Sequence, residues 1–161
     1  MRSNNFMATA IIDAKLGIDY VSISPMPTSL REHMLHRILI IEDDPGVGQL
    51  LKVAFEREGV NVLWLTTGTE ALAQIESFHP TLVMIDYGLP DMDGTTLANA
   101  IERTPLKPMP YRVGMSGGFI NPDESRPHPG FDMCLSKPIS LTRLRSILSE
   151  LPVERLSLSE H

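Results

Sequence analysis

The feature that most constrains the fold of this 161-residue chain is a series of short aliphatic runs that alternate with stretches of helical periodicity. The first run covers residues 37–41 (RILII) and is followed at once by three acids, Glu42, Asp43 and Asp44. Because such a run has no polar face, it suits a strand that is covered on both sides of a parallel sheet. The pattern therefore predicts buried strands with charged residues at their ends.

The alternation continues along most of the chain. We expect strands at 37–41, 60–65, 81–85, 112–115 and 133–135. Helices with one apolar face are expected from Pro45 up to Gly59, and at 69–78, 95–103 and 141–151. Strands that alternate with helices indicate an α/β fold, a doubly wound parallel sheet with right-handed crossovers.

Residues 1–36 have a different pattern. A few apolar residues there lie at helical spacing, but Gly17 interrupts them, and Pro25 and Pro27 break any regular element. A capping-box pattern at 29–32 allows a short helix that ends near His36. We expect an N-terminal extension at 1–36 that is flexible or loosely docked, one domain at 37–151 and a C-terminal tail at 152–161. Met34 is an alternative start of translation.

Charge and composition exclude several classes of protein. The chain has 14 basic and 20 acidic residues and no basic cluster, which argues against direct DNA binding. No apolar run approaches the roughly 18 residues of a membrane span, and the N-terminus lacks the shape of a signal peptide. The single cysteine excludes a disulfide framework and a multi-cysteine metal site. We therefore expect a cytoplasmic protein that does not bind membranes.

Polar side chains follow four of the predicted strands. Glu42 and Asp43 follow the first strand, Asp86 the third, Ser116 the fourth and Lys137 the fifth. In open α/β sheets, ligands bind outside the carboxyl ends of the strands. Carboxylates this close repel one another unless a cation intervenes, and oxygen ligands suit Mg²⁺. The sequence therefore predicts a metal site at this edge of the sheet.

Four segments in this order and at these spacings, RILIIEDDP, TLVMIDYGLPDMDG, GMSG and CLSKP, resemble the receiver domain of two-component response regulators. The resemblance covers about residues 37–151. It implies a five-stranded sheet with the flavodoxin-like strand order 2-1-3-4-5, in a single-domain, stand-alone receiver. Three prolines within 117–130 indicate a reduced or irregular fourth helix with at most one turn, near 122–126.

The resemblance also implies the roles of the acidic residues. Asp86 matches the phosphoacceptor, which takes a phosphoryl group from a phosphohistidine on a histidine kinase or a histidine phosphotransfer protein. Asp43 matches the direct Mg²⁺ ligand, and Glu42 matches the acid that holds the metal through water. The backbone carbonyl of Gly88 matches the remaining protein ligand.

The same resemblance assigns the residues of the switch. Ser116 matches the hydroxyl that turns toward the phosphoryl group, and Lys137 matches the lysine that contacts another phosphoryl oxygen, before a peptide to Pro138 that is cis in the family. Cys134 stands where the family often has an aromatic residue, and we interpret it as a small buried residue. The expected protein is a signalling phosphoacceptor that assists its own phosphorylation and dephosphorylation, rather than an enzyme. Because no effector domain follows Leu151, we expect its signal to pass to a downstream protein by direct contact.

Two other interpretations are compatible with parts of the sequence. A pseudo-receiver would keep the fold as an interaction module but would transfer no phosphate, and Cys134 and the proline-rich segment favour it. A dinucleotide-binding enzyme would use Gly46 and Gly48 after the first strand, but Leu51 occupies the place of the third glycine of that fingerprint. The neighbouring acids would also repel a pyrophosphate.

Overall fold

A computed structural model describes residues 6–13, 18–25, 36–118 and 128–151 of the chain. Its strands are β1 (Phe6–Asp13), β2 (Ile18–Pro25), β3 (Arg37–Ile41), β4 (Asn61–Leu65), β5 (Leu82–Asp86), β6 (Tyr111–Ser116) and β7 (Met133–Ser136). Its helices are α1 (Pro45–Arg57), α2 (Gly68–Phe78), α3 (Gly94–Glu102) and α4 (Leu141–Glu150). Within the described residues from Arg37 onward, all the predicted strands and helices are present, with small shifts at their ends.

The strands from β3 to β7 form one parallel sheet in the order β4-β3-β5-β6-β7. Counted from its first strand, this order is 2-1-3-4-5, so the predicted flavodoxin-like α/β fold is confirmed. Ile41 pairs with Leu65 of β4 on one side and with Ile85 of β5 on the other. The carboxyl ends of these three strands are therefore level, and the residues that follow them meet at one edge of the sheet.

Each face of the sheet has its own hydrophobic core, because alternate residues of a strand point to opposite faces. One face is covered by α1 and α4, and its buried core includes Ile38, Ile40, Leu51, Phe55, Met84, Leu144 and Ile147. The other face is covered by α2 and α3, and its buried core includes Leu39, Ile41, Ile75, Val83, Ile85, Leu97 and Ile101. Burial on both faces explains why β3 and β5 are continuous apolar runs.

Each of the four described helices begins at a side-chain cap. The capping residues are Asp44, Thr67, Asp93 and Ser140, and each accepts a hydrogen bond from the backbone N–H three residues further on. The expected places of Asp44 as a cap and of Pro45 in the first turn are confirmed. Because Asp44 caps α1, the loop after β3 contains only Glu42 and Asp43 before the helix cap. These two acids therefore stay close to the edge of the sheet.

The N-terminal segment contains a β-hairpin rather than a helix. Strands β1 and β2 pair antiparallel along their whole length, from Phe6 opposite Pro25 to Asp13 opposite Ile18. The apolar spacing seen in the sequence is thus not realised as a helix, because the same residues form a cross-strand ladder. Three expectations fall on residues that the structure does not describe: the short helix before His36, the turn of the fourth helix near 122–126 and the tail at 152–161.

Among the described residues, no helix combines the length and the apolar character needed to cross a membrane.

Candidate functional site

Three acidic side chains meet at the carboxyl ends of β3 and β5, and we call them the acidic cluster. Glu42 follows β3 and is fully buried, whereas Asp86 ends β5 and is 8% exposed. Asp43 comes next after Glu42 and is exposed to solvent. One carboxylate oxygen from each residue lies within 4.8 Å of the other two. The level strand ends therefore bring these three residues together.

Lys137 supplies positive charge to the cluster. Its Nζ lies 2.6 Å from Glu42 Oε2 and 2.9 Å from Asp86 Oδ1. Its backbone N–H donates to the carbonyl of Ser116 at 2.7 Å, which extends the pairing of β6 with β7, and its peptide bond to Pro138 is cis. The main chain thus holds Lys137 at the same edge of the sheet, where its ammonium bridges the two less exposed acids.

Burial and ion pairing act against each other in this group. Burial raises the pKa of the Glu42 carboxyl above its ordinary value, and hydrogen bonds from Lys137 and from the Asp44 amide offset only part of that rise. Burial alone would lower the pKa of Lys137, but its hydrogen bonds to Glu42 and Asp86 outweigh this and raise the pKa. The ammonium is therefore held in its charged form beside both acids.

The donor set of the cluster suits a magnesium ion. Three ionised carboxylates and one ammonium sum to a formal charge of −2, which is equal and opposite to that of Mg²⁺. Magnesium takes oxygen ligands, usually one or two carboxylates together with several waters. Among the residues that the structure describes, Asp43 makes no ion pair and is open to solvent. The residues present therefore fit Mg²⁺, and Asp43 is the most accessible of the three carboxylates.

Gly88 lies in the loop after Asp86, and Ser116 ends the neighbouring strand β6. A Cβ atom at Gly88 would lie 3.7 Å from Asp86 Oδ2, so the loop after β5 passes this oxygen at van der Waals distance. Ser116 ends β6, and its Oγ accepts a hydrogen bond from the backbone N–H of Gly118 at 3.2 Å. The Ser116 hydroxyl is therefore engaged in its own turn and not with the acidic cluster.

Two residues that sequence reasoning did not single out also shape this edge. The indole N–H of Trp64 donates to the backbone carbonyl of Glu42 at 2.8 Å. A Cβ atom at Gly94 would lie only 2.7 Å from the carbonyl oxygen of Asp86, so α3 can begin this close to β5 only with glycine there. The sequence signal for Gly94 was its place in the DMDG segment before a helix. Trp64 carried no signal except that it is the only tryptophan.

Cys134 in β7 stands where the resemblance implies an aromatic residue, and the aromatic ring of Tyr87 lies beside it. Cys134 is buried, and its Sγ lies 3.2 Å from the hydroxyl of Tyr87. The Tyr87 ring packs against Phe131, with 5.1 Å between ring centroids, and against Gly114, where a Cβ atom would lie 2.7 Å from a ring carbon. The aromatic volume near this site thus comes from the residue next to Asp86.

Comparison with known proteins agrees with this arrangement. Residues 38–149 match the family model of the response regulator receiver domain. The response regulator receiver protein CpdR of Brucella abortus is 30% identical over 118 residues, which cover 73% of this chain and 94% of CpdR. The uncharacterized transcriptional regulatory protein YbdJ of Bacillus subtilis is 39% identical over 71 residues, but this chain covers only 31% of the length of YbdJ.

Solved structures show the same fold. A receiver domain (CheY-like) from Methylobacillus flagellatus is 27% identical with a TM-score of 0.65, and the match covers 73% of this chain and 99% of that one. A receiver domain protein (CheY-like) from Methanospirillum hungatei is 31% identical with a TM-score of 0.63, over 72% of this chain and 92% of that one. Since the family model spans well over half of the sequence, this chain belongs to the response regulator receiver domain family.

Proposed function

We propose that this receiver accepts a phosphoryl group on Asp86 from a phosphohistidine of a partner histidine kinase or histidine phosphotransfer protein. The observation that carries the proposal is the ammonium of Lys137, which bridges Asp86 and Glu42 next to the solvent-facing Asp43. Acids alone would repel a phosphoryl group. A cation beside the nucleophilic carboxylate supplies the charge compensation that such a group needs as it is transferred.

Phosphoryl transfer depends on in-line positioning and charge neutralisation more than on covalent help from the protein. In the proposed step, an oxygen of Asp86 forms the new P–O bond while the P–N bond of the phosphohistidine breaks. The electron pair of the P–N bond returns to the imidazole nitrogen. Because Oδ1 is paired with Lys137, we assign the attack to Oδ2, the oxygen beside Gly88. The product is an acyl phosphate.

The acidic cluster also defines the proposed metal site. Asp43 and Asp86 would hold Mg²⁺ directly together with the backbone carbonyl of Gly88, and Glu42 would hold it through water. The water-mediated role suits Glu42, because both of its carboxylate oxygens already have partners: Lys137 for Oε2 and the Asp44 backbone N–H for Oε1. When bound, the ion neutralises charge on the transferring phosphoryl group.

The proposed output is a change in contact with a downstream protein rather than with DNA, and we place it in the cytoplasm. We expect the Ser116 hydroxyl to leave the Gly118 amide and to donate to a phosphoryl oxygen. This would rearrange the start of segment 117–130. Slower or faster amide exchange across that segment on adding a phosphoryl mimic would support the proposed output, whereas unchanged exchange would contradict it.

The central test is phosphorylation in vitro. The full chain is incubated with Mg²⁺ and a small acyl phosphate, and its intact mass is measured over time. We expect the gain of one phosphoryl group in the wild type and none in Asp86→Asn, which keeps the shape of the side chain. Asp132→Asn is the matched control, because Asp132 is exposed and pairs with Arg112 at the start of β6.

A wild type that gains no phosphate under these conditions would contradict the proposal and would favour the pseudo-receiver. Equal labelling of Asp86→Asn and the wild type would show that the acceptor is another residue.

A further inference from the structure

We infer that Trp64 and Gly48 form a matched pair that orients Asp43 toward the metal. Trp64 is then a positioning residue, which acts on the acidic cluster through the main chain and not by direct contact with the ion. This inference rests on the proposed function, because it assumes that Asp43 is a Mg²⁺ ligand.

The first step of the argument is the bond that Trp64 makes. The Glu42 N–H donates to the Leu65 carbonyl at 3.0 Å, which continues the pairing of β3 with β4. The next polar group along the chain, the Glu42 carbonyl, receives the indole N–H of Trp64 at 2.8 Å. That carbonyl belongs to the planar peptide unit that joins Glu42 to Asp43. A hydrogen bond that holds the direction of this carbonyl therefore also holds the orientation of the peptide plane that leads into Asp43.

The second step concerns what else holds this segment. The backbone N–H of Asp44 donates to Glu42 Oε1 at 3.2 Å, and the Asp44 side chain caps α1. The residues on both sides of Asp43 are thus anchored, whereas the Asp43 side chain is exposed. The position of the Asp43 side chain therefore depends on the hydrogen bonds that orient its backbone. The bond from Trp64 acts on the peptide that precedes Asp43, and the bond of the Asp44 N–H acts on the peptide that follows it.

The third step is the room made for the indole. Gly48 is buried within α1, and a Cβ atom there would lie 2.2 Å from Trp64 Cε2 and 2.4 Å from Trp64 Nε1. Real atoms do not approach so closely, so any side chain at this position displaces the indole. Inside a helix, glycine is less favourable than every other residue except proline. The position of the Trp64 ring gives a physical reason for glycine at position 48. A dinucleotide-binding enzyme would instead need this glycine for contact with a pyrophosphate.

The test compares wild type, Trp64→Phe, Gly48→Ala and the double variant as full chains. Mg²⁺ affinity is measured by isothermal titration calorimetry without any phosphate donor. We expect each single variant to bind Mg²⁺ about fivefold more weakly, the usual effect of losing one neutral hydrogen bond. The double variant should be no weaker than the singles, because both changes remove the same bond.

A second readout follows the bond directly. With one tryptophan in the chain, the indole N–H gives one resonance in a nitrogen–proton correlation spectrum. We expect this proton to exchange slowly with solvent in the wild type and faster in Gly48→Ala.

Ile147→Val on α4 is the control for a general loss of stability, because Ile147 lies in the same core as Trp64. It should lower the melting temperature and leave Mg²⁺ affinity unchanged. Wild-type affinity in both single variants, or an equal loss in Ile147→Val, would overturn the inference alone. A wild type that binds no Mg²⁺ would overturn the proposed metal site and the inference together.

Discussion

The hydroxyl of Tyr87 lies 3.2 Å from the sulfur of Cys134, so the residue after Asp86 is linked directly to β7. The backbone N–H of Tyr87 also donates to the carbonyl of Met115 in β6 at 3.0 Å. Burial and the bond to Cys134 raise the pKa of Tyr87, which keeps its hydroxyl neutral. One tyrosine thus joins the proposed phosphoacceptor to both strands beyond it.

The bond between Tyr87 and Cys134 should contribute measurably to stability. Tyr87→Phe keeps the ring and removes the hydroxyl, so we expect the free energy of unfolding to fall by about 0.5–1.5 kcal/mol. Urea denaturation measures this change. Tyr111→Phe is the control, since its hydroxyl makes no hydrogen bond within the described part of the chain, and it should have a smaller effect. Equal losses in the two variants would show that the Tyr87 hydroxyl contributes nothing specific.

Removing the charge of Lys137 should destabilise the fold strongly. Lys137→Gln leaves Glu42 buried without a counter-charge, and breaking a buried ion pair in this way costs about 3–5 kcal/mol. Lys52→Gln is the matched control, because Lys52 pairs with Glu56 at an exposed i,i+4 position on α1 and should lose about 0.5 kcal/mol or less. Urea unfolding at neutral pH compares the two variants, and similar losses would contradict the prediction.

Acid should weaken the hydrogen bonds between Asp91, in the loop before α3, and the first residues of α2. Asp91 accepts hydrogen bonds from the Thr69 hydroxyl and from the backbone N–H groups of Gly68 and Thr69. These bonds lower the pKa of Asp91 from 3.8 to about 2. Because this folded-state pKa lies below that of the unfolded chain, the stabilisation is present above about pH 4 and is lost as the pH falls toward about 2.

The corresponding experiment uses Asp91→Asn. Its melting temperature should lie below that of the wild type at pH 7, and the difference should shrink as the pH is lowered through 4 toward 3. Glu76→Gln, at an exposed position on α2, should show a smaller difference at neutral pH. A difference between wild type and Asp91→Asn that does not depend on pH would contradict the assignment of the ionised form.

Magnesium should stabilise the folded state, because the acidic cluster exists only there. At ten times its dissociation constant, a ligand of the native state alone adds about 1.4 kcal/mol to the free energy of unfolding. Asp43→Asn should lose most of this gain. Asp44→Asn should keep most of it, since asparagine also caps a helix. Melting curves with Mg²⁺ and with EDTA measure the effect, and equal curves for the wild type would contradict the metal site.

Much of the fold was determined by local sequence. The all-apolar runs at β3 and β5 identified central strands, and the acids after them identified the functional edge. Asp44 before Pro45 marked the start of α1. These features are local, because a buried strand needs apolar residues at successive positions and a helix needs a cap at its first residue.

The N-terminal hairpin shows where local pattern was insufficient. The apolar residues of segment 6–25 fit a helical spacing, but the same residues pair across β1 and β2. Short apolar patterns are compatible with either structure, and only the partner strand decides between them.

The details of the site were decided by tertiary structure. Trp64 reaches a carbonyl 22 positions earlier in the chain, and Tyr87 reaches a sulfur 47 positions later. The room for each ring comes from a glycine on another element, Gly48 for Trp64 and Gly114 for Tyr87. Sequence determined which residues lie at the ends of the strands. Which side chains support them was decided by packing, because a space left by a missing Cβ atom exists only once the elements are in contact.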